Sequence, residues 1–135
     1  MDIKDYLIKH EGLKLKPYRC TAGKLTIGVG RNLEDKGITE QEATFMLFND
    51  LDECVDNLRL DIFPDVWETL SDNRQNALID MRFQLGGAGF RGFKRLIAGV
   101  KAGDWEMVKQ SIRGSLYYRQ VKSRAEDNIK LLAEG

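Results

Sequence analysis

The chain has 135 residues and a mass of 15.4 kDa, the size of one compact domain or of two small lobes that share a core. Its 21 basic and 21 acidic residues balance, and its hydrophobic fraction of 42% is ordinary for a globular protein. The two cysteines and the single histidine form neither a disulfide framework nor a zinc-ligand pattern, so we expect no metal and no cofactor. Free thiols also favour synthesis in a reducing compartment.

Two further features limit the classes of partner. No stretch approaches the ~20 consecutive apolar residues that span a bilayer, and the charged residues 1–7 lack the apolar core of a signal peptide, so we expect no stable membrane insertion. The basic segment at residues 3–31 suits an acidic polymer, either nucleic acid or bacterial wall, or else is a solvated surface of mixed sign. Because no nucleic-acid-binding motif is recognisable, we expect no nucleic-acid partner.

The first predicted elements are a helix and a β-hairpin. The helix runs from about Ile3 to Glu11 and ends at Gly12. Over residues 15–30, alternating apolar side chains around a glycine turn predict the hairpin. The polar residues 32–37 predict a loop.

The rest of the chain is predicted to be helical. Thr39 and Glu42 have the spacing of a capping box and begin a helix of about 20 residues that ends before Pro64. At ~1.5 Å per residue this helix is long enough to link two lobes. A second capping box, Ser123 with Glu126, predicts the start of the last helix. The predicted fold class is therefore α+β and mainly helical, with a small β-hairpin lobe joined by the long helix to a helical lobe.

Three side chains of the first lobe are candidates for chemistry. Glu11 lies at the C-terminal end of its helix, where the partial negative charge of the helix disfavours a carboxylate and favours the protonated form that a general acid needs. Cys20 and Thr26 lie on either side of the hairpin turn, so a thiol and a hydroxyl are expected to approach each other. Taken singly, each of these residues is also compatible with a purely structural position.

The helical part contributes further candidates. Phe83 and Gln84 place an aromatic ring and an amide at a helix end predicted near Gly86, a combination that suits contact with a sugar. Arg124, near the start of the last helix, has the reach to pair with a carboxylate. Cys54 lies on the apolar face of the long helix and is predicted to be a core residue.

Together these segments resemble the phage T4-type lysozymes, glycoside hydrolase family 24. The resemblance covers nearly the whole chain and is carried by Glu11-Gly12-Leu13, Tyr18, Cys20, Leu25-Thr26-Ile27-Gly28-Val29-Gly30, Phe83-Gln84-Leu85-Gly86, Gly92-Phe93, Tyr118, Gln120, Arg124 and Ala125. It implies an N-acetylmuramidase that hydrolyses the β-1,4 bond between N-acetylmuramic acid and N-acetylglucosamine in peptidoglycan. The implied roles are Glu11 as general acid, Thr26 beside the attacking water, Asn32, Phe83 and Gln84 on the substrate, and Arg124 supporting Glu11.

The resemblance also implies an organisation and a biological setting. It predicts a single lysozyme-like domain over residues 1–135, with the first helix, 1–11, packing with the C-terminal lobe, a β-hairpin lobe at 12–38, a connecting helix at 39–60 and a helical lobe at 61–135. It implies a monomeric endolysin that binds peptidoglycan glycan strands. Such a protein is made in the host cytoplasm and acts on the wall, in the periplasm, after release through a lesion made by a holin.

The sequence departs from the family pattern at the second catalytic group. Cys20 stands where the family has an aspartate, Arg31 stands where it has a histidine, and the segment 32–38 is shorter. In an inverting glycosidase a second carboxylate activates water, so a thiolate at Cys20 would either position water or attack the anomeric carbon itself. The alternative is a catalytically impaired peptidoglycan-binding module of a phage tail or regulatory assembly.

Overall fold

A computed structural model describes all 135 residues of the chain. Eight helices and three strands follow one another in the order α1 (Ile3–Glu11), β1 (Lys14–Arg19), β2 (Leu25–Gly28), β3 (Arg31–Asn32), α2 (Glu40–Ile62), α3 (Pro64–Thr69), α4 (Asp72–Arg91), α5 (Lys94–Ala102), α6 (Trp105–Arg113), α7 (Leu116–Gln120) and α8 (Lys122–Glu134). The predicted α+β class, mainly helical with a small antiparallel sheet near the N-terminus, is confirmed. No helix combines the length and the apolar character that crossing a membrane requires.

The chain divides into two compact units, Met1–Met46 and Leu47–Gly135, with the boundary inside α2. The first unit contains α1, the sheet and the first turns of α2. The single-domain organisation over residues 1–135 and the packing of the first helix with the C-terminal lobe stay predictions.

The sheet of the first unit confirms the predicted hairpin and adds one strand. β1 pairs antiparallel with β2, which places Tyr18 opposite Thr26, and the turn is closed by a hydrogen bond from the Cys20 N–H to the Lys24 carbonyl at 2.9 Å. β3 then pairs with β2 and places Asn32 opposite Thr26. Asn32 was predicted to begin a loop but is the last residue of β3. A two-residue strand is too short to show the alternation of apolar and polar side chains by which strands are recognised.

The capping box at the start of α2 is confirmed. The Thr39 N–H donates to Glu42 Oε1 at 3.0 Å, and the Glu42 N–H donates to Thr39 Oγ1 at 3.1 Å. Two of the backbone N–H groups that a helix start leaves without partners are thereby satisfied. The helix ends at Ile62, two residues beyond the predicted end at 60.

The second unit is a helical bundle around one apolar core. Helix α8 packs against α4, α6 and α7, and α5 packs against α6. Cys54 is buried at 6% exposure, which confirms the prediction that it is a core residue. The largest fully buried side chains of this core are Trp67, Phe90, Leu58, Ile62, Leu78, Met81, Leu96 and Ile112.

Two predicted helix ends of the second unit differ from the structure. Gly86 breaks α4 with φ 72° and ψ 178°, but helical structure resumes and continues to Arg91, because glycine takes the left-handed region at little cost. The predicted second capping box does not form, since Ser123 lies inside α8. The Glu126 carboxylate instead accepts hydrogen bonds from the Tyr118 hydroxyl at 2.6 Å and from Arg113.

Candidate active site

Glu11 is the last residue of α1, and the turn that follows it brings its carboxylate against the backbone of Gly30. The helix is closed by the Gly12 N–H, which donates to the Ile8 carbonyl at 2.8 Å. A Cβ atom added to Gly30 would lie 2.8 Å from Glu11 Oε2, a separation closer than any real contact of that kind. The carboxylate therefore lies directly against the backbone of Gly30, and a side chain at position 30 would displace it.

Cys20 is held at the hairpin turn in surroundings that favour its thiolate. The backbone N–H of Lys24 and then that of Ala22 lower the pKa of the Cys20 thiol by hydrogen bonding to the sulfur, and the Thr26 hydroxyl adds a smaller contribution in the same direction. Partial burial opposes them, because it disfavours the charged form. A lower pKa increases the fraction of the thiol present as the reactive thiolate at neutral pH.

Thr26 lies on β2 and is buried, with 3% of its surface exposed. Its hydroxyl donates to the Lys24 carbonyl at 2.8 Å, and it also lies at the Cys20 sulfur. A threonine hydroxyl has one hydrogen, so the bond to the carbonyl and a bond to a Cys20 thiolate are alternatives. The predicted approach of Cys20 and Thr26 is confirmed.

Asn32, a predicted substrate-binding residue, has its amide engaged within its own loop. Its Nδ2 donates to Asp35 Oδ2 at 3.0 Å, and its Oδ1 accepts from the Asp35 N–H at 3.0 Å. This arrangement is typical of an asparagine that closes a turn. A role for Asn32 on substrate stays a prediction, and the amide keeps one donor hydrogen and one acceptor lone pair beyond those used in this turn.

The candidates of the second unit lie on α4 and α8. Phe83 is 47% exposed and lines a cavity of about 240 Å³ whose other walls include Asp50, Glu53 and Asn57. Gln84 is exposed beside it. These positions leave both side chains accessible, and their contact with a saccharide stays a prediction.

Arg124 is bound to a carboxylate that the sequence pattern did not identify. Its Nε and Nη2 donate to Asp80 at 2.9 and 2.6 Å, and Asn128 donates to the same carboxylate at 2.9 Å and to the Tyr117 hydroxyl at 3.0 Å. The Arg124 guanidinium, and then Asn128, hold the pKa of Asp80 below its usual range. Support of Glu11 by Arg124 stays a prediction.

The family profile of the phage lysozymes matches residues 8–124, a span that includes every candidate described above. The chain belongs to the phage lysozyme family. Among its relatives is the pre-baseplate central spike protein of Enterobacteria phage T4, which is 30% identical over 162 aligned positions that cover 100% of this chain. The chain spans 28% of the length of that relative.

Two relatives of more similar length come from Dictyostelium discoideum. Probable T4-type lysozyme 1 is 24% identical and probable T4-type lysozyme 2 is 22% identical, each over 98% of this chain and 94% of the relative. This phage lysozyme family member therefore aligns over nearly its whole length with two nearly complete relatives and with a segment of a much longer one.

Sequence reasoning missed two contacts within the first unit of this family member. One is the contact of the Glu11 carboxylate with the Gly30 backbone. The other is the ion pair of Arg31 with Glu42, whose Nη1 and Oε1 atoms are 2.8 Å apart. The glycine pattern and the departure at Arg31 were visible in the sequence. Their partners are distant along the chain, so only the fold identifies them.

Proposed function

We propose that the chain is an endolysin-type lysozyme, an N-acetylmuramidase that hydrolyses the β-1,4 bond between N-acetylmuramic acid and N-acetylglucosamine in bacterial peptidoglycan. One observation carries the proposal. The unit that seats the Glu11 carboxylate on Gly30 also brings the Cys20 thiol to the Thr26 hydroxyl. A carboxyl, a thiol and a hydroxyl in one small unit are the chemical groups that an acid and a water-activating partner require.

Glu11 acts as the general acid in this proposal. In its protonated form it gives its proton to the glycosidic oxygen while the bond from that oxygen to the anomeric carbon breaks. The electron pair of the broken bond goes to the oxygen, which leaves as a hydroxyl group. Positive charge develops at the anomeric carbon, and the second catalytic group must either activate a water that attacks this carbon or attack it directly.

Cys20 is the proposed second group, and two routes are open to its thiolate. In the first, the thiolate takes a proton from a water molecule beside Thr26, and the water attacks the anomeric carbon with inversion of configuration. In the second, the sulfur itself attacks that carbon, and a water deprotonated by the Glu11 carboxylate later displaces it, so that configuration is retained. The lowered pKa of the Cys20 thiol increases the thiolate fraction that either route requires.

The remaining roles concern substrate and setting. Phe83 and Gln84 are proposed to line the saccharide path, Asn32 to bind substrate, and Arg124 to support Glu11. We propose that the protein acts as a monomer on peptidoglycan glycan strands. It would be synthesised in the host cytoplasm and reach the wall after release through a holin lesion.

Cleavage of purified sacculi tests the proposal. The wild-type protein should release reducing ends and soluble muropeptides. A Glu11→Gln variant should be at least ~100-fold slower because it lacks the proton donor, whereas Cys20→Asp should remain active because a carboxylate is the usual second group. Absence of cleavage by the wild-type protein would overturn the proposal.

A second candidate function is favoured by the similarity to the phage T4 central spike protein, at 30% identity over this entire chain. It is a catalytically impaired peptidoglycan-binding module of a tail or regulatory assembly. Sedimentation of the wild-type protein with intact sacculi without cleavage, together with a gain of cleavage in Cys20→Asp, would select this alternative.

A further inference from the structure

The Glu11 carboxylate lies against a short piece of backbone. Gly30 lies in the connection between β2 and β3, and its Cα faces Glu11 closely enough that a Cβ atom there would be 2.8 Å from Oε2 and 3.3 Å from Cδ. Any movement of this connection therefore moves the surface on which the carboxylate rests. The residue that follows Gly30 is Arg31, the first residue of β3.

Arg31 ties that connection to the start of α2. Its Nη1 donates to Glu42 Oε1 at 2.8 Å and to the Gly37 carbonyl at 3.2 Å. The Arg31 side chain is 27% exposed. The first unit contains a second arginine–glutamate ion pair, Arg19 with Glu34, in which the arginine side chain is 65% exposed. Arg19 likewise has two acceptors, Glu34 and the Gly23 carbonyl, so the difference between the two ion pairs is their exposure. Lower exposure leaves the Arg31 pair less screened by solvent than the Arg19 pair.

The carboxylate that receives Arg31 is itself fixed. The same Oε1 atom of Glu42 accepts the Thr39 N–H, and the Glu42 N–H donates back to Thr39 Oγ1. The capping box therefore holds Glu42 at the start of a 23-residue helix, where the positive end of the helix also favours a carboxylate. A continuous set of contacts runs from α2 through Glu42 and Arg31 to the backbone beneath Glu11.

We infer that Arg31 is a positioning residue for Glu11, acting through its ion pair with Glu42 and the adjacent backbone of Gly30. The inference rests on the proposed function, because it assigns Arg31 a part in holding the proposed general acid. Misplacement of a reacting group by about 1 Å costs on the order of 100-fold in rate. A looser seat for Glu11 is therefore expected to lower kcat about tenfold, with little effect on KM.

Three variants test the inference on defined peptidoglycan strands, at a temperature where each is fully folded by circular dichroism. Arg31→Gln removes the guanidinium. Glu42→Gln removes the charge of the acceptor but keeps an oxygen for the Thr39 N–H, since glutamine also completes a capping box. Arg59→Gln is the matched control, because it removes the same charge from an ion pair with Glu68 in the second unit.

We expect kcat to fall about tenfold in Arg31→Gln and several-fold in Glu42→Gln, with KM within twofold of the wild type and Arg59→Gln unchanged. Arg31→Lys, which keeps the charge, should recover part of the loss. A kcat of Arg31→Gln within twofold of the wild type, or a rise in KM alone, would overturn the inference.

An NMR measurement separates failure of the inference from failure of the proposed function. The signal of the Glu11 carboxyl carbon should move in Glu42→Gln, although Glu42 is remote in sequence, and stay in place in Arg59→Gln. If the wild-type protein cleaves nothing but this signal moves as expected, the proposed function fails while the positioning contact stands. If the signal is the same in Glu42→Gln as in the wild type, the positioning inference fails whatever the activity.

Discussion

At the scale of single residues, the contact between Glu11 and Gly30 gives the most direct test of the site. In Gly30→Ala the new methyl group would occupy a position 2.8 Å from Glu11 Oε2, so the carboxylate must move. We expect the rate of peptidoglycan cleavage to fall by roughly 10–100-fold. The measurement is the release of reducing ends at equal concentrations of folded protein.

Gly103→Ala is the matched control for this variant. Gly30 and Gly103 share a φ of +68°, so an alanine at either position carries a similar backbone cost of about 1–2 kcal/mol. No atom lies within 4 Å of a Cβ on Gly103. Equal activities of the two alanine variants would show that the seat of Glu11 on Gly30 is unimportant.

The two cysteines should differ sharply in reactivity. Backbone N–H groups of Lys24 and Ala22 lower the pKa of Cys20, whereas burial raises the pKa of Cys54, whose thiol donates to the Ile79 carbonyl at 3.6 Å. Because the thiolate is the reactive form, iodoacetamide should modify Cys20 of the native protein first. Peptide mass spectrometry at successive times measures this order, and comparable labelling of Cys54 would contradict it.

The lowered pKa of Cys20 also predicts how activity depends on pH. If the thiolate is the working form, activity of the wild-type protein rises as pH increases through the pKa of Cys20. In Cys20→Asp the replacing carboxylate is ionised from about pH 4 upward, so the rise due to the thiolate should be missing. Initial rates on peptidoglycan across the pH range compare the two proteins, and profiles of identical shape would exclude a role for the thiolate.

At the scale of elements, the start of α2 shows why one capping box formed and another did not. Thr39 and Glu42 have no stronger partners than each other and Arg31, so the local pattern is realised. Glu126 has the same spacing from Ser123, but the Tyr118 hydroxyl and Arg113 bind its carboxylate. Those partners come from other helices, and a sequence pattern limited to four residues does not include them.

The ion pair between Arg31 and Glu42 at the start of α2 should make the stability of the fold depend on pH. The Arg31 guanidinium, with the Thr39 N–H, lowers the pKa of Glu42 from 4.5 to about 2. A carboxyl whose pKa is lower in the folded state stabilises the fold above its unfolded pKa, and this stabilisation is lost as pH falls from about 4.5 through about 2.

The wild-type protein should therefore exceed Glu42→Gln in free energy of unfolding at neutral pH, and the difference should shrink as the pH is lowered through that range. Urea unfolding at a series of pH values measures it. A difference between the two proteins that stays constant down to pH ~2 would mean that Glu42 is not ionised against Arg31.

At the scale of the whole molecule, the parts predicted from sequence are those that local patterns determine. The hairpin, the long helix and the buried position of Cys54 follow from spacing and alternation, and all three are present. The approach of Cys20 to Thr26 was predictable because a tight turn joins their strands.

The parts that were not predictable depend on contacts between distant residues. Arg124 and Asp80 are 44 positions apart, and nothing in the sequence near either residue indicates their pairing. The seat of Glu11 on Gly30 and the ion pair of Arg31 with Glu42 likewise require the fold. Local patterns thus predicted the candidate residues, whereas their contacts with distant residues emerge only in three dimensions.

The central claim is that Glu11 is the general acid of a muramidase in which Cys20 replaces the second carboxylate. Product analysis on defined peptidoglycan strands, with the anomer assigned by NMR in the first minutes, tests it most directly. We predict new reducing ends at N-acetylmuramic acid and no measurable product from Glu11→Gln. A β-anomer would assign retention and attack by sulfur, whereas an α-anomer would assign inversion and activated water. Intact strands with the wild-type protein, or equal product from Glu11→Gln, would contradict the claim.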